Sequence, residues 1–142
     1  MSRILVVDDA LIVQELVRTT LEPLVREGAE LLFCEDGYEA LRLIETRRPD
    51  LVLLDVTMYG PNGFEVCRRV KREMGMDSVR IVILSARGLP EDRRRAAEAG
   101  ASGWFCKPFV PAELLDLVRR LLEESSPGGG AGEPAPSPGA GG

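Results

Sequence analysis

Apolar residues in this chain gather into short runs, and four of those runs end on polar residues. Ile4-Leu5-Val6-Val7 ends in Asp8-Asp9, Leu51-Val52-Leu53-Leu54 in Asp55, Ile81-Val82-Ile83-Leu84 in Ser85, and Trp104-Phe105-Cys106 in Lys107. Short β-branched and aliphatic runs separated by helix-length segments predict buried strands of a parallel sheet. With Glu30 to Cys34 they make five strands, the fourth from Val79 to Leu84 and the fifth from Ser102 to Cys106.

The segments between carry helical periodicity. From Ala10 to about Glu27, apolar residues fall at 12, 13, 16, 17, 21, 24 and 25, a stripe broken only by Pro23, which predicts a kink or an altered last turn. Gly28 stops this helix. Asp36-Gly37 turns into a second helix, about Tyr38 to Arg47. After the turn-rich Tyr59-Gly60-Pro61-Asn62-Gly63, residues Phe64, Val66, Cys67 and Val70 place an apolar face on a third. The fourth, Pro90 to Ala99, opens on proline and offers only Leu89 and alanines to a core, so it should be among the least firmly held elements. The last, Pro111 to Glu124, carries Leu114, Leu115, Leu117, Val118, Leu121 and Leu122. Five strands alternating with five helices predict a doubly wound α/β domain over residues 1–124. From Ser125 the composition changes to glycine, proline, alanine and serine, which predicts a disordered tail or linker stub over 125–142.

In an open parallel sheet the functional crevice lies beyond the carboxyl ends of the strands. Asp8, Asp9, Asp55, Ser85 and Lys107 are therefore expected at one edge. Bare carboxylates so placed would repel one another, raising their pKa values or recruiting a cation. Their hard oxygens, without imidazole or thiolate, favour Mg²⁺ or Mn²⁺ over zinc. Magnesium prefers a few carboxylates, water and a phosphate oxygen, which points to phosphoryl chemistry. A carboxylate can itself accept a phosphoryl group, with Lys107 as a point-charge partner and Ser85 as a hydroxyl donor.

Composition narrows the alternatives. The 142 residues are 44% hydrophobic and 29% charged, enough for one soluble domain with a real core. A net charge of −5 argues against a nucleic-acid-binding body. No run approaches the roughly 18 to 20 apolar residues of a membrane helix, and the first apolar run meets aspartate too soon for a signal peptide, so a cytoplasmic location is expected. There is no histidine, which excludes histidine acid-base catalysis, histidine metal sites and histidine phosphorylation on this polypeptide. Cys34, Cys67 and Cys106, without a CxxC spacing, read as small buried hydrophobes.

These residues resemble the receiver domain of two-component response regulators from about Arg3 to Leu122. Val7-Asp8-Asp9 is similar to the family's acidic pair, Leu54-Asp55 to its phosphoacceptor, Leu84-Ser85-Ala86 to its hydroxyl strand end, and Cys106-Lys107-Pro108-Phe109 to its lysine-proline signature. The resemblance implies a flavodoxin-like sheet of order 2-1-3-4-5 and a cis bond before Pro108. It implies direct Mg²⁺ ligation by Asp9 and Asp55, a further oxygen from the Thr57 backbone carbonyl, and a largely water-mediated role for Asp8. It also implies a phosphorylation-controlled switch rather than a conventional enzyme, one that catalyses only its own phosphorylation and slow dephosphorylation. The phosphoryl donor would be a sensor histidine kinase or histidine phosphotransfer protein. The output would be a protein target met around the fourth helix, fifth strand and fifth helix, with homodimerisation possible and neither nucleic acid nor membrane bound through this domain.

Three departures stand beside the matches. Tyr59 occupies the place of a usual proline, which comes later as Pro61. The switch aromatic, coupled to Ser85, falls on Trp104, which reads equally as switch residue or ordinary packing. Thr57 and Arg87 stand where the family varies its phosphate lifetime. Arg68-Arg69, Arg93-Arg94-Arg95 and Arg119-Arg120 read as solvated helix faces, the triplet lying on the partner-meeting helix. An alternative function is a constitutive interaction module that keeps the fold and signals without phosphate. A haloacid-dehalogenase-type phosphatase would need a second aspartate where Thr57 stands, and a Rossmann enzyme would need a glycine-rich loop where Asp8-Asp9-Ala10 stands.

Overall fold

The structure, a computed structural model, describes residues 2–86 and 88–124. Arg87 and the segment expected to form a tail, 125–142, lie outside the described residues. The elements run β1 (Arg3–Val7), α1 (Leu11–Thr20), α2 (Glu22–Arg26), β2 (Glu30–Cys34), α3 (Gly37–Arg47), β3 (Leu51–Asp55), α4 (Gly63–Arg68), β4 (Arg80–Ser85), α5 (Pro90–Glu98), β5 (Gly103–Cys106) and α6 (Pro111–Glu124). The five strands are parallel in the order β2-β1-β3-β4-β5. Strand order reverses between β1 and β3, so Asp8-Asp9 and Asp55 end adjacent strands at the crevice where the two halves diverge.

Alternation along the central strands sorts their apolar side chains onto two faces. Leu5, Val7, Val52, Leu54, Ile81, Ile83 and Trp104 pack with residues of α3, α4 and α5. Ile4, Val6, Leu51, Leu53, Val82, Leu84 and Phe105 pack with residues of α1, α2 and α6. Each fully buried aliphatic side chain contributes about 1.5–3 kcal/mol. These two layers hold the strands in register and thereby fix where their polar ends emerge.

Among the described residues six α-helices are present where five were expected. The kink placed at Pro23 is a break at Leu21, whose backbone leaves the helical region at φ −94°, ψ 5°. Proline has no N–H to continue the ladder and is favoured in a first helical turn, so a new helix starts at Glu22. The stripe on α1 is also narrower than its periodicity implied: Val17, Leu21 and Leu24 are buried, but Ile12 is 80% exposed and Leu16 and Val25 are exposed too. Past Arg68, α4 widens into a π turn, Arg69–Glu73, closed by the Met74 N–H on the Arg69 carbonyl. On α5, Leu89 is 44% exposed rather than core-facing, and the inward positions are Asp92 and Ala96. Among the described residues, no helix is long and apolar enough to cross a membrane.

Candidate functional site at the carboxyl edge of the sheet

Each strand end is fixed by its own backbone bonds before any side chain acts. The Asp8 N–H donates to the Cys34 carbonyl at 3.1 Å, tying the end of β1 to β2. The Val56 N–H donates to the Leu84 carbonyl at 3.2 Å, and the Lys107 N–H to the Ser85 carbonyl at 2.7 Å. Beyond Lys107 the bond to Pro108 is cis, as the resemblance implied.

On this frame Asp8, Asp9 and Asp55 each present a carboxylate oxygen, and the three atoms lie within 4.8 Å of one another. Asp8 is fully buried, Asp55 is buried, and Asp9 is exposed. Lys107 Nζ donates to Asp8 Oδ2 at 2.7 Å and to Asp55 Oδ1 at 3.2 Å. The other Asp8 oxygen accepts the Ala10 N–H at 2.9 Å. Thr57 is exposed in the loop two residues past Asp55. Ser85 is buried at the end of β4, in register opposite Cys106. Trp104 lies lower on β5, opposite Ile83; it is buried, and its indole N–H donates to Cys106 Sγ at 3.3 Å. The edge thus brings together Asp8, Asp9, Asp55 and Lys107, with Ser85 on the neighbouring strand end, while Trp104 belongs to the packed layer beneath.

Gln14 is a participant that sequence reasoning passed over. It is buried and donates from Nε2 to the Asp8 carbonyl at 2.7 Å, fixing the acidic turn from α1. The signal was present: a polar residue one helical turn before Val17, on the buried line.

Among the described residues, one ammonium faces three carboxylates at this site, which leaves them short of positive charge. Burial raises the Asp55 carboxyl above its ordinary value; Lys107 pulls it down, but not enough, and Asp8 adds repulsion. Burial works against the Lys107 charge, yet the hydrogen bond to Asp8 and the nearness of Asp55 outweigh it, so its pKa is raised. A carboxylate held above its usual range beside two others calls for a second cation. Closely spaced carboxylate oxygens with no thiolate or imidazole fit magnesium or manganese.

A family model for the response regulator receiver domain matches residues 4–119. The chain belongs to that family. As a receiver of two-component systems it is 44% identical over 133 residues to response regulator MprA of Mycolicibacterium vanbaalenii, covering 94% of this chain and 55% of the relative. It is 36% identical over 125 residues to the phosphate regulon transcriptional regulatory protein PhoB of Escherichia coli, covering 88% and 53%. The chain spans about half the length of the curated relatives it matches. Among solved structures, the Francisella response regulator 1452 receiver domain superposes with a TM-score of 0.79 at 26% identity, covering 89% of this receiver and 100% of that chain. The chemotaxis response regulator CheY4 of Vibrio cholerae gives 0.75 at 32% identity, covering 85% and 98%.

Proposed function

We propose that this receiver is a phosphorylation-controlled switch in which Asp55 accepts a phosphoryl group from a phosphohistidine on a partner kinase or phosphotransfer protein. The observation that carries the reading is the convergence of Asp8, Asp9 and Asp55 with Lys107 at the mouth of the sheet. Asp9, Asp55 and the Thr57 backbone carbonyl would hold Mg²⁺ or Mn²⁺, with Asp8 acting through water. Such an ion supplies positive charge to phosphoryl oxygens. An Asp55 carboxylate oxygen bonds to phosphorus as the donor's phosphorus–nitrogen bond breaks. The imidazole leaves with the electron pair and regains its proton from solvent. Lys107 balances the added charge, and the Ser85 hydroxyl donates to a phosphoryl oxygen.

The donor must seat over this edge. Leu11 and Ile12, which open α1 directly after the acidic turn, and Val110, just past Lys107, are exposed apolar residues that suit such a contact. A phosphoryl group brings ~1.5 to 2 negative charges, enough to bias an element held by a few kcal/mol. The face around α5, β5 and α6 is the proposed output surface, met by a protein target in the cytoplasm. Residues 1–124 form the switching unit in this reading, with 125–142 as tail or linker.

Intact-mass analysis after treatment with MgCl₂ and acetyl phosphate tests the proposal. The parent should gain one phosphoryl group and Asp55→Asn none; gain by both, or by neither, refutes it. A second reading, a constitutive interaction module, draws support from Trp104, whose indole is buried within the sheet and hydrogen-bonded to Cys106 rather than set at the acidic edge. Uptake by the parent alone discards that second reading.

A further inference from the structure

The loop that follows the phosphoacceptor, residues 56–62, leans on a part of the chain that neither the fold nor the proposed chemistry explains. At its base the Gly63 N–H donates to the Val56 carbonyl at 2.9 Å. Its outer bend rests on the corner between β2 and α3. There the Gly37 N–H donates to the Tyr59 carbonyl at 3.0 Å. The approach is so close that a Cβ on residue 37 would fall 2.1 Å from the Pro61 carbonyl oxygen, so the position admits only glycine. One residue on, the Tyr38 ring lies against Gly60, where an added Cβ would stand 2.7 Å from ring Cδ2. Gly60 itself holds a φ of +81°. Tyr38 also meets Tyr59 edge to face at 6.0 Å between centroids.

This aromatic pair contributes little to the core. Tyr38 is 59% exposed and Tyr59 76%, and neither joins the two buried layers. What Tyr38 touches, through Tyr59 and Gly60, is the loop that leads from Asp55 past Thr57 to α4. Magnesium tolerates little departure from octahedral oxygen geometry, so a backbone carbonyl offered to it must be held in place. A loop free to leave that geometry adds an ordering cost to binding.

We infer that Tyr38, set by the Gly37–Tyr59 backbone bond, is a positioning residue: its ring braces the loop after Asp55 and keeps the Thr57 carbonyl aligned with the acidic cluster for a divalent cation. The inference rests on the metal and phosphoryl reading above and deepens it. It gives an exposed tyrosine on α3, remote in sequence from the acidic residues, a share in their affinity for the ion.

The test is calorimetric titration of the full chain with MgCl₂, alongside the rate of acetyl phosphate uptake and the urea midpoint, for parent, Tyr38→Ala and Tyr38→Phe. Tyr38→Ala should bind Mg²⁺ roughly tenfold more weakly, as loss of a metal site's supporting partner does. Its phosphoryl uptake should be slow at low Mg²⁺ and recover at saturation, with the urea midpoint measured without metal unchanged. Tyr38→Phe keeps the ring and should match the parent. Equal Mg²⁺ affinity in Tyr38→Ala and parent overturns the inference, as does a loss of affinity that tracks a fall in urea midpoint, or a Phe variant that fails to restore binding. If parent and Asp55→Asn take up phosphate alike, the functional reading fails by itself, because the Mg²⁺ titration judges the brace without phosphate.

Discussion

Lys107 holds two carboxylates with one ammonium, and the two contacts have different consequences. The bond to Asp8 at 2.7 Å satisfies a fully buried charge, whereas the bond to Asp55 at 3.2 Å leaves that carboxyl raised by burial. Removing the ammonium strands Asp8. Lys107→Met should therefore lose on the order of 3 kcal/mol of stability without metal. Urea unfolding with and without MgCl₂ checks this, since a cation that binds only the folded state should close much of the gap. Acetyl phosphate uptake at saturating Mg²⁺ should fall about hundredfold, the usual cost of deleting one preorganised donor to a developing oxyanion. The placement of Asp8, Asp9, Asp55, Ser85 and Lys107 at one edge was legible because each stands at or just past the carboxyl end of an apolar run. Their inequality was not: Asp8 is sealed and Asp9 exposed because α1 packs Gln14 against the first and leaves the second at the rim.

Among the elements, α1 shows most clearly where periodicity stops being informative. A 3.6-residue repeat marks which positions share a face, not how wide a face the sheet covers. Ile12 and Leu21 belong to the same predicted stripe, yet one is exposed and the other fully buried. Leu21→Ala should cost about 2–5 kcal/mol through the cavity it leaves. Ile12→Ala should stay within about 0.5 kcal/mol of the parent. Chemical denaturation of the two variants side by side checks the contrast. If both lose equally, the outward placement of Ile12 is wrong. For α5 the expectation failed in the same direction. Leu89, expected to face the core, stands exposed at the N-cap because Pro90 starts the helix just beyond it, and the inward positions are Ala96 and Asp92, the latter a charged residue of a type rarely buried. A kink or altered last turn was expected at Pro23; the chain instead breaks into two helices two residues earlier, because the proline is accommodated inside the next helix's first turn.

Across the whole molecule, charge is divided between the two ends of the sheet. The carboxyl edge collects acids around one lysine. The opposite edge is laced by Glu30, which pairs with Arg3 at 2.7 Å and Arg47 at 3.0 Å, while the Arg3 N–H donates to Asp50. The hydrogen bond from Arg3, aided by the charges of Arg3 and Arg47, lowers the Glu30 pKa below 4.5. Because the folded value lies below the unfolded one, this contribution is fully present above pH 4.5 and fades as pH falls through the lowered value. Glu30→Gln should thus unfold at lower urea than the parent at pH 7, with the difference shrinking on acidification and at high salt. A gap that persists at low pH would point to lost packing instead.

Read alone, the amino-acid order determined the strands, the α/β class and the residue types that end each strand, since these follow from local periodicity and from the geometry every open parallel sheet shares. Tertiary packing alone decided which of those polar groups is sealed, which helix positions face water, and that the β2–α3 corner touches the loop after Asp55. The reason is physical. Periodicity orients a side chain only relative to its own backbone, whereas burial and contact depend on segments that lie far away along the chain and meet only once the two apolar layers have closed on the sheet.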